Sequence, residues 1–156
     1  MALKEKLQKL KSFNNPDSEI KKEEYKETWK NDVEKLIHTI MDKWFEDYGK
    51  NGLMTFELVN TKRAEPYIGE YLSTSLEISL SENKFLILEP VSGVTTEYDG
   101  KLEFYMRGNI NKKATIIRQI NNAESPKWLI VKSYETNDIQ ELNQASLEKI
   151  IEEWLQ

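Results

Sequence analysis

The sequence predicts an α+β fold, in which a long N-terminal amphipathic helix packs on a curved antiparallel meander of six or seven strands, closed by a C-terminal helix. Three observations lead to this prediction. Apolar residues between Trp29 and Tyr48 recur every three or four positions, as on one face of a helix. From Leu53 onward the apolar period changes to two, which is typical of strands. Short links between the predicted strands favour pairing of consecutive strands.

The long helix is expected to begin with Asp17 as its N-cap and to end at Gly49 or Gly52 in a left-handed conformation. If it ran unbroken over residues 18–48 it would be about 47 Å long, whereas a compact domain of this size is only about 40 Å wide. The helix must therefore kink, overhang or meet a second copy. Its expected apolar stripe consists of Trp29, Val33, Leu36, Ile37, Ile40, Met41, Trp44, Phe45 and Tyr48.

The first turns of this helix differ in composition from the remainder. Lys21–Lys30 is dominated by charged side chains, with Tyr25 and Trp29 as its apolar residues. A charged half-helix is typical of an exposed element. We therefore expect the first two turns to project from the domain towards a partner, and the part from Lys30 onward to be buried.

The expected strands alternate with turn signals. Asp99-Gly100 is the strongest of these signals, because Asp-Gly supplies the two positive φ angles of a type I′ hairpin turn. Gly69 indicates a bulge or bend, and Pro66 opens the extended segment that contains the second strand. The strands are expected at Leu53–Val59, Leu72–Leu80, Lys84–Glu89, Val94–Tyr98, Lys101–Arg107, Ala114–Ile120 and Lys127–Tyr134.

The two ends of the chain are predicted to be helical. Gln144–Leu155 follows Asn143, a plausible N-cap, and its apolar residues recur at helical spacing. At the other end, Leu3, Leu7 and Leu10 fall on one face of a lysine-rich segment. Residues 1–16 are interpreted as a short amphipathic arm, and residues 17–156 as a single α+β domain.

Composition excludes several classes of function. There is no cysteine, so disulfides and thiolate chemistry are excluded. The net charge of −5 lies entirely in residues 135–156, which hold one lysine and six carboxylates, and no basic stripe suits nucleic acid. No apolar run is long enough for a membrane span. We expect a cytoplasmic protein that binds neither nucleic acid nor membrane.

No catalytic signature is present. His38, the one histidine, has Asp42 a turn later, and an exposed helix-surface pair explains it better than a general base does. The six glycines form no phosphate-binding loop. Glu57, Glu70 and Glu89 lie in or near apolar strands and would be site candidates if buried. We expect no enzyme activity, cofactor or metal.

The residues that favour binding are tyrosines on a polar sheet face. In the predicted Asp-Gly hairpin, Tyr98 and Tyr105 share a face with Lys101 and Glu103, and tyrosine gives large contact area at little cost in entropy. Ordinary cross-strand packing explains these tyrosines equally well. The candidate partner-binding residues are Tyr98, Lys101, Glu103, Tyr105, Tyr25 in the charged half-helix, and Glu148 and Glu152 on the acidic last helix.

Two hypotheses of function follow. The first is a non-enzymatic protein-binding protein of the bacterial cytoplasm, an immunity or inhibitor protein or a chaperone-like protein, with a basic partner or a homodimer through the long helix. The second is a small-molecule binder with an apolar cavity between a curved sheet and that helix. The element order is similar to that of helix-grip folds and pleckstrin-homology-like barrels, but a fold alone does not assign function.

Overall fold

The computed structural model describes residues 3–14, 19–81, 83–93, 95, 98–120, 125–133 and 138–156. Within these residues the chain forms helices, a π-helical turn and one sheet. In chain order the elements are α1 (Leu3–Asn14), α2 (Glu19–Thr39), the π turn (Ile40–Trp44), α3 (Glu46–Lys50), β1 (Thr55–Glu65), β2 (Gly69–Ser81), β3 (Lys84–Ser92), β4 (Lys101–Met106), β5 (Lys113–Gln119), β6 (Lys127–Ser133), β7 (Asp138–Glu141) and α4 (Gln144–Trp154).

The sheet is an antiparallel meander of seven strands. Its spatial order is β1-β2-β3-β4-β5-β6-β7, so each strand pairs with the next one along the chain. The α+β class, the antiparallel meander and the C-terminal helix are therefore confirmed. Sequence analysis missed β7, because this strand has only four residues and carries a single apolar side chain, Ile139.

The long helix is the second helix of the chain, not its N-terminal element, since α1 precedes it. The described part of α2 begins at Glu19, and the expected cap Asp17 lies outside the described residues. Its buried side chains recur at helical spacing and belong to one apolar cluster with strand residues and α4. From the helix and the π turn, the cluster takes Trp29, Val33, Leu36, Ile37 and Ile40.

The end of the long helix departs from a regular α-helix. At the π turn, the backbone N–H of Phe45 donates to the carbonyl of Ile40, five residues earlier, at 2.9 Å. Such a turn inserts one residue into the helical period. As a result Phe45 is buried, whereas Trp44 is half-buried at the margin of the cluster. Gly52, with φ of +72°, takes the left-handed conformation predicted for the end of the helix.

The prediction that only the part from Lys30 onward is buried was wrong. The Tyr25 hydroxyl donates to the backbone carbonyl of Asp99 at 3.0 Å, and Lys26 Nζ donates to the carbonyl of Glu70 at 3.1 Å. Trp29 is 1% exposed. These three side chains fall on the face of α2 that continues the apolar stripe. The long helix therefore contacts the sheet at least one turn earlier than its charge suggested.

Val94, Thr96 and Glu97 of the predicted strand Val94–Tyr98 lie outside the described residues, but the predicted hairpin of this segment with Lys101–Arg107 is wrong. On β4, Leu102 pairs with Pro90 of β3 and with Ile116 of β5, so both edges of β4 are occupied. Gly100 has φ of +146° and packs against the Trp29 ring. Its backbone pairs with β5, because the N–H of Arg118 donates to the Gly100 carbonyl. A glycine is needed at position 100 because α2 approaches the backbone closely there, and not because the chain forms a type I′ turn.

β2 reverses its buried face along its length. Leu76 and Ile78 are buried as predicted, but Leu72 is exposed, and Tyr71 and Ser73 are buried instead. Pairing with β1 runs unbroken from Gly69 to Ser79, so no bulge causes the reversal. Pairing of β2 with β3 begins only at Leu76. The half of the β1–β2 hairpin nearest its turn is therefore a two-stranded ribbon, in which twist is larger. In this half the opposite face of β2 is buried, and its Tyr71 contacts Trp29.

The C-terminal helix follows its prediction closely. The Asn143 side chain accepts from the N–H of Ser146 at 2.9 Å, and the Ser146 hydroxyl accepts from the N–H of Asn143, which together form a capping box. Trp154 stacks on Phe104 of β4, with ring centroids 5.3 Å apart. In the part of the chain that the structure describes, no helix has the length and apolarity to cross a membrane.

Candidate functional site

The side chains of β4 alternate strictly between the core and the opposite face of the sheet. Leu102, Phe104 and Met106 are buried in the apolar cluster, so Lys101, Glu103 and Tyr105 point to the opposite face of the sheet, which we call the outer face. The prediction that these three residues share a face is confirmed. Tyr98 does not join them, because it precedes the strand.

The outer face carries a depression of about 460 Å³ where β3, β4 and the turn before β5 meet. We call it the outer groove. Both polar and apolar side chains line it, and two of the candidate residues, Glu103 and Tyr105, are among them. Its walls also include Glu89, Asn109, Ile110 and Lys113.

The rim of the outer groove carries the most exposed large apolar side chain of the described chain. Ile110 is 92% exposed at the tip of the β4–β5 connection. Gly108, with φ of +80°, opens this turn, and the N–H of Asn111 donates to the Asn109 side chain at 3.2 Å. The turn is therefore an organised structure that holds an isoleucine out into solvent.

Two carboxylates face each other on the floor of the groove. Glu89 and Glu103 are directly opposed in the β3–β4 register. Glu89 accepts from the Tyr105 hydroxyl at 3.1 Å, and Glu103 pairs with Lys113 at 2.9 Å. Partial burial, followed by the bond to Glu89, raises the pKa of Tyr105. Lys113 pairs with Glu103 alone, and like charges at directly opposed positions destabilise a sheet.

The remaining candidate residues lie elsewhere. Tyr25 is part of the helix–sheet junction through its bond to Asp99. Glu148 accepts from the Tyr48 hydroxyl at 2.7 Å and from Gln144, so it ties α4 to α3. Glu152 is exposed on α4. The structure therefore brings together Lys101, Glu103 and Tyr105, and it does not bring Tyr25, Glu148 or Glu152 to them.

A buried ion pair fixes the long helix to the sheet. Arg118 of β5 is 0% exposed and binds Asp32 of α2 at 2.8 Å. Its Nε donates to the Asp99 carbonyl at 2.7 Å, and its guanidinium lies 4.8 Å from the centre of the Trp29 ring. Sequence analysis missed this pair. The available signal was a charged residue that interrupts an apolar pattern. Asp32 lies three residues after Trp29, and Arg118 directly follows Ile116-Ile117.

Among the strand residues that the structure describes, the buried carboxylate is Glu65, which was not singled out from the sequence. Glu57 and Glu70 are exposed and Glu89 is half-buried. Glu65 accepts from the Tyr71 hydroxyl, from Ser92 at 3.0 Å and from the N–H of Gly93 at 2.9 Å.

This carboxylate is connected to the helix. Trp29 Nε1 donates to the Tyr71 hydroxyl at 3.2 Å, so Tyr71 bridges Glu65 and α2. Burial and the bond to Glu65 raise the pKa of Tyr71. Because each of these groups is engaged inside the protein, the cluster is a structural clamp between the β1–β2 hairpin and α2.

His38 lies away from both clusters. It is exposed on α2, with its Nδ1 3.2 Å from Asp42, as the spacing predicted. Among the described residues, no group of three or more histidines and carboxylates is arranged to hold a metal ion.

Comparison of the chain with models of protein families, with curated proteins and with solved structures finds no match.

Proposed function

We propose that this protein is a non-enzymatic protein-binding protein of the bacterial cytoplasm, of the immunity, inhibitor or chaperone-like kind, whose partner docks in the outer groove. The observation that carries the proposal is the 92% exposure of Ile110 on a structured turn beside that groove. Turn positions favour glycine, asparagine and other polar residues. An isoleucine held out from such a turn gains burial only from another molecule.

The floor of the groove supports a basic partner. Glu89 and Glu103 stand opposite each other on β3 and β4, and Lys113 of β5 pairs with Glu103. A lysine or arginine of the partner, inserted here, would relieve their repulsion and form charge-assisted hydrogen bonds. Binding would therefore remove an unfavourable interaction that the free protein carries.

Tyr105 adds a rigid contact surface. Its hydroxyl is held by Glu89, so the ring loses little further freedom when a partner covers it. Tyrosine and arginine are enriched among the residues that dominate binding energy at protein interfaces. The predicted tyrosine surface is thus reduced to one tyrosine with a defined position.

The alternative was a small-molecule site between a curved sheet and the long helix. Where α2 meets β2, the crevice lined by Trp29, Val33, Tyr71 and Pro90 has no room for a water molecule. This crevice therefore offers no ligand site, and the protein-binding proposal takes precedence.

The test compares substitutions at two exposed apolar residues of the full chain, Ile110 beside the groove and Leu53 outside it. Tagged wild-type protein, Ile110→Asp and Leu53→Asp are recovered from the native host, since Leu53 is also an exposed apolar loop residue but lies outside the groove. We expect a polypeptide other than the chain itself, in stoichiometric amount, with wild type and with Leu53→Asp. Ile110→Asp should lose it. Recovery of the same polypeptide with Ile110→Asp would contradict the proposal.

A further inference from the structure

The arm at the start of the chain has an uncovered apolar face. In α1, Leu3 is 71% exposed and Leu7 is 55% exposed, although their i,i+4 spacing places them on one side of the helix. The few contacts between α1 and α2 do not bury these leucines. A helix of 12 residues is marginal in water without such burial.

The charge of α1 is opposite to that of the groove floor. The segment from Leu3 to Asn14 contains four lysines and one glutamate. The outer groove offers two carboxylates with one lysine, and the exposed Ile110 stands at its rim. One chain therefore carries a lysine-rich helix with two exposed leucines and an open groove of complementary charge.

We infer that α1 of a second copy docks in the outer groove, with its leucines against Ile110 and its lysines towards Glu89 and Glu103. The contact is reciprocal, so a two-fold dimer makes it twice, as closed symmetric dimers do. The inference rests on the proposed function in taking the outer groove as a protein-binding surface. It goes further by naming one occupant, and an external partner must then displace this arm.

Light scattering on the full chain, over a range of protein and salt concentrations, tests the inference. We expect a concentration-dependent dimer that high salt weakens, because ion pairs at a surface are screened. Leu7→Asp and Ile110→Asp should each weaken dimerisation about tenfold or more. Leu53→Asp is the control and should leave it unchanged. Both target side chains are exposed, so circular dichroism should show folded protein in each case.

Mixing the two defective variants gives the sharpest result. Leu7→Asp keeps an intact groove and Ile110→Asp keeps an intact arm, so a mixture restores one good contact that neither variant makes alone. We expect the mixture to dimerise more strongly than either variant by itself.

Three outcomes would overturn the inference: a monomer under all conditions, a dimer insensitive to both substitutions, as a contact through α2 would be, or no gain on mixing. Each is independent of whether Ile110→Asp loses an external partner, so failure of the dimer and failure of the proposed function are distinguishable.

Discussion

The close packing around Trp29 explains why residues 93 and 100 are glycines. A Cβ added to Gly93 would lie 2.8 Å from Cδ1 of the indole, and one added to Gly100 would overlap the six-membered ring. Arg118 lies over the ring, and Tyr71 accepts from Nε1. Sequence analysis identified Trp29 as a core residue. It could not identify the role of Gly100, because Asp-Gly has the same letters in a hairpin turn and in a close helix contact.

Gly100→Ala should therefore destabilise the protein strongly. The added methyl group meets the Trp29 ring, and φ of +146° is strained for any residue with a Cβ. We expect a loss of about 3 kcal/mol in the free energy of unfolding, measured by urea denaturation with tryptophan fluorescence.

Gly108→Ala is the matched control for the conformational part of this cost. Its φ of +80° is also positive, but no atom lies within 4 Å of an added Cβ. We expect a loss of about 1 kcal/mol. Equal losses at Gly100 and Gly108 would mean that contact with Trp29 is not what requires a glycine at position 100.

At the scale of elements, regular patterns were predictable and local interruptions were not. The stripe of α2, the alternation along β4 and the Asn143 cap all follow from spacing and hydrogen-bonding rules. The π turn at Ile40–Trp44 does not, since its sequence also fits an α-helix. Which side chain enters the core after this turn is decided by the packing of the whole cluster.

The π turn gives two adjacent aromatic residues, both expected on the apolar stripe, different degrees of burial. Phe45 is fully buried and contacts Tyr48, with ring centroids 5.7 Å apart, whereas Trp44 is half-buried. Phe45→Ala should cost about 3–5 kcal/mol of unfolding free energy. Trp44→Ala should cost about 1–2 kcal/mol, since much of its surface is already in water.

Chemical denaturation of both variants against wild type checks this expectation. A continuous α-helix through Trp44 would give the opposite order of costs, with the tryptophan substitution the more damaging. The outcome therefore reports on the register of the helix in solution.

At the scale of the whole molecule, the meander was predictable because its links are short, but the attachment of the helix to the sheet was not. That attachment joins residues far apart in the chain, such as Asp32 to Arg118 and Tyr25 to Asp99. Of the residues that line the outer groove, the positions of Glu103 and Tyr105 follow from alternation along β4. Glu89 opposite Glu103 depends on the β3–β4 register, and Ile110 was not singled out as exposed.

The junction of helix and sheet also predicts how the protein responds to alkali. Burial is the main cause that raises the pKa of Tyr25 from 10.0 to about 12, and the pKa of Tyr71 is also raised. Each tyrosine stays neutral longer in the folded state than in the unfolded state. The stabilisation is therefore fully present below pH 10 and is lost as pH rises through about 12.

The measurement is the urea midpoint between pH 9 and pH 12, with the double variant Tyr25→Phe/Tyr71→Phe as the comparison. We expect wild type to lose stability more steeply than the variant over this interval. Parallel curves would show that neither phenol ionises more readily in the unfolded chain.

The order of strands along the chain has a consequence for synthesis. Each pair of strands consists of two consecutive segments, so the sheet can form as the chain leaves the ribosome. The contact between Trp29 and Arg118 forms only after Arg118 has been synthesised. At about 5–20 residues per second, that interval lasts about 4–18 s. During it, the nascent polypeptide presents an incompletely buried indole on a helix made early, and slower translation through β3 to β5 should increase the fraction of the product that aggregates.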